Sequence, residues 1–425
     1  MSATAANAAG AGPIEAGALP RAAVEAKAVS LVVSAAVAFG VFLQGFVFRE
    51  PAPYELFMVG LIAVWGLFGL RLSQHAAVLL AILVAYNVGG ALSMSTMDDI
   101  HDTPLYLGVT LFLSLSSVFF AAILEADPRR YRLIFRAWLV SAIVVAGLGI
   151  AGYFRLFPGA EMFTRYDRAS GTFEDPNVYG PFLALPGTYM LYRLLTAPAR
   201  RVPLYALLLS VVTAGIFVSF SRGAWGLYLA ASVVVVIALF VQSASGAFRL
   251  RIAMMSLLAV MLVAGAIVVA LQIPGTAEFL AQRAQLVQNY DGGEGGRFAR
   301  FGDGFVMAME HPLGIGPLNF GRFLGEDTHN IWLKALMDYG WLGFASFVLL
   351  VGWTLAGGLR ILFRDRPWQP YLLCAYAVFV GHLLLGTVID MDHWRHFYVL
   401  VGLIWGAMAL EARHQHQRAV LAATP

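Results

Sequence analysis

Twelve apolar runs dominate the chain, beginning near Ala28, Tyr54, Gln74, Leu105, Ile134, Val178, Leu204, Ala224, Arg251, Trp332, Tyr371 and Phe397. An apolar run of about 20 residues crosses a bilayer as a helix, because a helix satisfies its own backbone there. The pattern predicts an all-α polytopic membrane protein with about 12 transmembrane helices. The run from Leu204 to Val241 is nearly continuous and too long for one span. Its one charged residue is Arg222, between Ser221 and Gly223, so the run predicts a hairpin that turns there. Between Gln272 and Ile331 the apolar pattern breaks. This predicts one long polar loop with short helices, holding Arg283, Arg297, Arg300, His311, Arg322 and His329. The implied division is a disordered tail over 1–27, helices one to nine over 28–272, and the loop over 273–331. Helices ten to twelve then occupy 332–412, and a second tail 413–425.

Composition sharpens this picture. Hydrophobic residues make up 60% and charged residues 12%, about half the charge of a soluble domain; mean hydropathy is +0.74. The formal net charge is only +3, which argues against a nucleic-acid partner. Cys374 is the only cysteine, so neither an internal disulfide nor a multi-cysteine metal site can form. It falls in a predicted span and reads as a small buried apolar residue. The Ala/Gly-rich start, Met1 to Glu25, lacks the short basic start and early apolar core of a signal peptide.

Basic residues beside the spans favour the cytoplasm and so set the orientation. Arg129, Arg130, Arg132 and Arg136 gather on one side, as do Arg200, Arg201, Arg249, Arg251, Arg360, Arg364 and Arg366. The other side carries fewer, including Arg49, Arg155, Arg165 and Arg168. The expected topology has both termini in the cytoplasm and the long loop outside.

Candidate chemistry lies on that outer side. Arg222 either snorkels to the interface or grips an anion; flanking serine and glycine leave room for phosphate on its fork of donors. In the loop, Phe298, Phe301, Phe305 and Met309 share one helical face, with Arg297, Arg300 and Asp303 on the other. That suggests a helix on the bilayer surface with arginines toward anionic headgroups, or simply a solvated charged face. Upstream, Phe279, Leu280, Leu286 and Val287 also recur with helical spacing. His311, before a Pro/Gly-rich turn, is expected to end the preceding helix. His329 falls at the start of the tenth helix, where the dipole disfavours an imidazolium. A neutral imidazole there can accept a proton, although an isolated histidine is also commonly structural. Asp175-Pro176-Asn177 signals a turn and a helix start, with Arg168 nearby as a further candidate. Asp390, Asp392, His393 and His396 crowd the last outer turn. They read as a salt-bridged turn in preference to a metal site.

Four blocks between Gly171 and about Phe344 together resemble the O-antigen ligase and polymerase family of bacterial membrane glycosyltransferases. They are Gly171-Thr-Phe-Glu-Asp-Pro-Asn177, Ser221-Arg-Gly-Ala-Trp225, Arg297 with the His311-Pro-Leu-Gly-Ile-Gly stretch, and His329-Asn330 followed by Tyr339-Gly-Trp-Leu-Gly343. The resemblance implies an inner-membrane enzyme handling a glycan on undecaprenyl diphosphate at the periplasmic face. The acceptor would be lipid A–core sugar in a ligase, or another lipid-linked repeat in an O-antigen or exopolysaccharide polymerase. It also implies that Arg222 and Arg297 hold the diphosphate and that His329 deprotonates or orients the acceptor hydroxyl. Arg300, Arg168 and Asn330 would be substrate contacts. Because the sugar is already activated, neither nucleotide, metal nor other cofactor is required. A polytopic transporter is the rival from another class, since twelve spans with both termini inside is common among transporters.

Overall fold

A computed structural model describes residues 21–69, 71–272 and 296–423. Among them the chain is helical almost throughout. The helices are α1 (Arg21–Leu43), α2 (Pro53–Phe68), α3 (Gln74–Met94), α4 (Thr103–Ala126), α5 (Arg130–Tyr153), α6 (Pro176–Thr196), α7 (Val202–Val218), α8 (Arg222–Gln242) and α9 (Gly246–Leu271). After the long loop come α10 (Arg297–Glu310), α11 (Asn319–Leu324), α12 (Ile331–Asp338), α13 (Gly340–Leu362), α14 (Gln369–Leu385) and α15 (Arg395–Ala423). Among the described residues the strands are the two-residue β1 (Thr164–Arg165) and β2 (Arg168–Ala169), paired as an antiparallel hairpin, and an isolated bridge joins Val47 to Phe173. Seven of the described helices are long and apolar enough to cross a membrane; Lys27–Leu43, Pro53–Phe68 and Gln369–Leu385 are shorter apolar helices.

The predicted hairpin at Arg222 is present: α7 ends at Val218 and α8 starts at Arg222. The tenth apolar run differs from its expected form. Its pattern predicts one helix from Trp332, but it breaks at Tyr339 into the eight-residue α12 and the longer α13. The cause is local. Gly340 has φ 64°, in the left-handed region where only glycine sits without cost. A Cβ there would lie 2.5 Å from the Leu313 carbonyl oxygen. Gly340→Ala is therefore expected to destabilise the protein by about 2 kcal/mol or more, read as a lower thermal midpoint of the purified protein.

The core pairs α4 with α15, α3 with α13, α8 with α14, and α6 with α7 and α8. Two of the polar groups inside it bond to neighbouring helices. Trp405 Nε1 donates to Thr354 Oγ1 at 2.8 Å, and the Tyr131 hydroxyl to the Leu403 carbonyl at 2.6 Å. Such interhelical bonds contribute about 0.6 kcal/mol each in a membrane. At one end of the bundle, Glu411 accepts from Arg364 at 2.6 Å and from Arg366 at 2.7 Å, tying α15 to the segment after α13.

The opposite end gathers the connections that the arginine pattern assigned to the outer side. Val47, between α1 and α2, donates its N–H to Thr172 in the α5–α6 connection at 2.8 Å. Arg395, at the start of α15, reaches Glu50 at 3.0 Å and also pairs with Glu55. Ser93 Oγ, near the end of α3, accepts from Gly316 N at 2.8 Å, which fastens the Pro/Gly-rich turn to the bundle. Ile331 N donates to the Gly386 carbonyl at 2.8 Å. The polar residues singled out in the sequence therefore sit around one end of the helix bundle.

Candidate active site

The α7–α8 turn is built to present a cation. Ser219 and Ser221 fold it: Ser221 N donates to Ser219 Oγ at 3.2 Å, and Ser221 Oγ caps α8 by accepting from Ala224 N. Phe220 takes φ 47° and is buried against Tyr153 and Trp225. Arg222 thus becomes the first residue of α8, half-buried, where the helix dipole and a guanidinium both favour an anion. Arg168 braces this turn from β2. Its Nε donates to the Ser219 carbonyl at 2.7 Å and its Nη2 to Asn177 Oδ1 at 2.8 Å. Asn177 itself stands just inside α6, which Asp175 caps by accepting from Asn177 N at 2.8 Å. Arg168, expected as a substrate contact, is buried and shapes the loop that carries Arg222.

The loop exit lies beside the same turn. Gly223 approaches Leu385 so closely that a Cβ would clash with it, and Gly386 accepts from Ile331 N. Leu385 and Gly386 therefore bridge the start of α8 to the start of α12, and His329 is two residues before Ile331. His329 has φ 47°, an uncommon conformation for a residue with a side chain. Its Nδ1 lies 3.3 Å from Asp390 Oδ1, and its ring remains 36% exposed. Asn330 caps α12, its Oδ1 accepting from Trp332 N at 3.0 Å and Leu333 N at 3.1 Å. That use of the oxygen gives Asn330 a structural task beside any contact with substrate.

Asp390 lies in the crowded last outer turn. It is the carboxylate that faces His329. Burial pushes its carboxyl up, but the neighbouring His329 and Lys334 outweigh burial and bring it down to about 2. An ionised partner orients an imidazole and stabilises its protonated form. Asp392 instead accepts from the Tyr106 hydroxyl, and the His393 ring stacks on Tyr106 with centroids 3.9 Å apart. The charged residues of the turn pair with other segments, Asp390 with His329 and Lys334, and Arg395 with Glu50 and Glu55. Among the described residues no three His, Cys, Asp or Glu side chains group to hold a metal ion.

The loop helix α10 forms over the predicted stretch, with a changed orientation. Its arginine face was expected to point toward lipid headgroups, but Arg300 is buried and pairs with Glu326, three residues before His329. Gly304 and Ala308 also turn inward, against Phe320 and Leu333. Phe305 and Met309 are exposed. Phe301 packs partly against that same inner cluster, and the helix holds Arg300 over the His329 segment. Arg297 is its first residue; that side chain, and the helical stretch expected around Phe279, Leu280, Leu286 and Val287 with Arg283, lie outside the described residues. His311 ends α10 as expected, its Nδ1 2.8 Å from the Met307 carbonyl oxygen.

Sequence reasoning missed Asp390 as the partner of His329 and Glu326 as the partner of Arg300. Asp390 carried a signal, a carboxylate in an outer turn, but its separation from His329 along the chain hid the pairing. Comparison with known proteins adds one finding. No curated protein matches the chain, but residues 204–348 match the family described as O-antigen ligase, a stretch running from α7 into α13. That stretch, over which the chain is similar to the O-antigen ligase family, contains Arg222, Arg297, Arg300, His329 and Asn330.

Proposed function

We propose that the chain is a membrane glycosyltransferase moving a glycan from undecaprenyl diphosphate to an acceptor sugar hydroxyl at the periplasmic face of the bacterial inner membrane. A ligase acting on lipid A–core is the favoured form, and a polymerase extending another lipid-linked repeat uses the same chemistry. The observation that carries the reading is the His329–Asp390 pair, set by Leu385 and Gly386 beside the arginine-bearing turn of α7 and α8. In the transfer, the bond between the sugar anomeric carbon and the diphosphate oxygen breaks. A bond from that carbon to the acceptor oxygen forms, and the hydroxyl proton passes to the His329 imidazole. The leaving undecaprenyl diphosphate takes the bonding electrons. Its charge is met by Arg222 at the α8 N-terminus and by Arg297. Asp390 steadies the imidazolium that results. Arg300, Arg168 and Asn330 complete the substrate surface or support it.

Deletion of the gene followed by analysis of surface glycans tests the assignment. Loss of all polymer on lipid A identifies a ligase, single-repeat caps an O-antigen polymerase, and loss of secreted polymer an exopolysaccharide polymerase. An unchanged glycan profile would refute all three.

A further inference from the structure

Lys334 is one of two lysines in the chain and is only 1% exposed. A lysine buried so completely stays charged only with partners around it, and here it has several. Its Nζ lies 2.8 Å from Asp327, on the segment entering α12, and 3.2 Å from Asp338, one turn further along α12. It also lies 3.6 Å from Asp390 Oδ2, in the α14–α15 turn, and 5.5 Å from the centre of the Tyr106 ring on α4. Asp392 and His393 complete the surroundings from the same turn through Tyr106, and Tyr339 does so from the α12–α13 junction through Thr110.

The two oxygens of Asp390 are thus divided: Oδ1 faces His329 and Oδ2 faces Lys334. A carboxylate orients a histidine only if its own rotation is fixed. Asp390 stands on a turn between two helices, and the Lys334 ammonium is the cation that faces its far oxygen. The same ammonium holds Asp327, two residues before His329 in the chain. We propose that Lys334 is a positioning residue, which holds Asp390 and the segment entering α12 so that the imidazole of His329 points at the acceptor hydroxyl. This rests on the reading of His329 as the base.

A bland alternative is that Lys334 serves only to neutralise Asp338, whose side chain is wholly buried. The double variant Lys334→Met/Asp338→Asn separates the two roles. It removes the cation together with the buried anion, while Asp327 and Asp390 keep some access to water. The assay uses full-length protein in liposomes with an undecaprenyl-diphosphate-linked glycan and a sugar acceptor, with thermal unfolding measured alongside. Expected is a fold as stable as wild type, a donor KM within about twofold, and a kcat lower by about 10- to 100-fold, the scale of a small misplacement of a reacting group. Asp338→Asn alone is expected to keep the wild-type kcat. A double variant with wild-type kcat would overturn the proposal, as would Asp338→Asn being equally slow. His329→Ala in the same assay isolates the underlying reading. If His329→Ala is inactive and the double variant is fully active, only the role of Lys334 fails. If His329→Ala transfers at the wild-type rate, the assignment of the base fails.

Discussion

Arg222→Ala is expected to lower glycan transfer by about 100- to 1,000-fold, the usual loss when one donor to a developing anion is removed. Protein level and membrane insertion should stay normal. Arg222 begins α8 on a turn fixed by Ser219, Ser221 and Arg168, so its position does not depend on substrate. Deleting the side chain leaves the bonds of Ser219 and Ser221 that fold the turn and cap α8, and removes the charge and the fork. Arg222→Lys keeps the charge but lacks the paired donors that match a phosphate, so an intermediate rate is expected. If Arg222 merely snorkelled to the interface, lysine would serve fully and alanine would cost little. Arg297→Ala is expected to act in the same direction. Initial rates in proteoliposomes, normalised to inserted protein, decide between these accounts.

His329→Ala is expected to reduce transfer by about 100- to 10,000-fold, the range for loss of a positioned general base. A second substitution shows whether the histidine is kept for chemistry or for folding. At φ 47°, a histidine carries a backbone cost that glycine does not, of order 1–2 kcal/mol. His329→Gly should therefore be inactive yet unfold at a temperature no lower than wild type. Such strain is typical of residues held for function. An inactive variant that is also markedly less stable would point to a structural histidine instead. Asp390→Asn should weaken support for the protonated imidazole, giving a smaller loss than His329→Ala.

The helical architecture was legible because lipid-spanning helices leave long apolar runs, and Arg222 interrupts one of them where a turn must occur. Capping was legible too: Asp175-Pro176-Asn177 opens α6 as its residue types require. What sequence could not show were contacts between distant segments. Arg300 shares a helical face with Arg297, which periodicity revealed, but that its guanidinium turns inward to Glu326 follows from how α10 packs on α12. Asp390 and His329 carry no local signature of pairing, since their meeting depends on the bond between Ile331 and Gly386. The break at Tyr339 was hidden for a different reason. Gly340 looks like any glycine in an apolar run, and only its positive φ against the Pro312–Leu313 carbonyls ends the helix there.

The most direct measurement follows a labelled glycan on undecaprenyl diphosphate in liposomes containing the purified protein and an acceptor sugar, with no nucleotide present. The account predicts that label moves to the acceptor as one undecaprenyl diphosphate is released per glycan transferred, and that both signals vanish together in Arg222→Ala and His329→Ala. Label crossing the membrane still attached to its carrier, or transfer that persists undiminished in both variants, would contradict it.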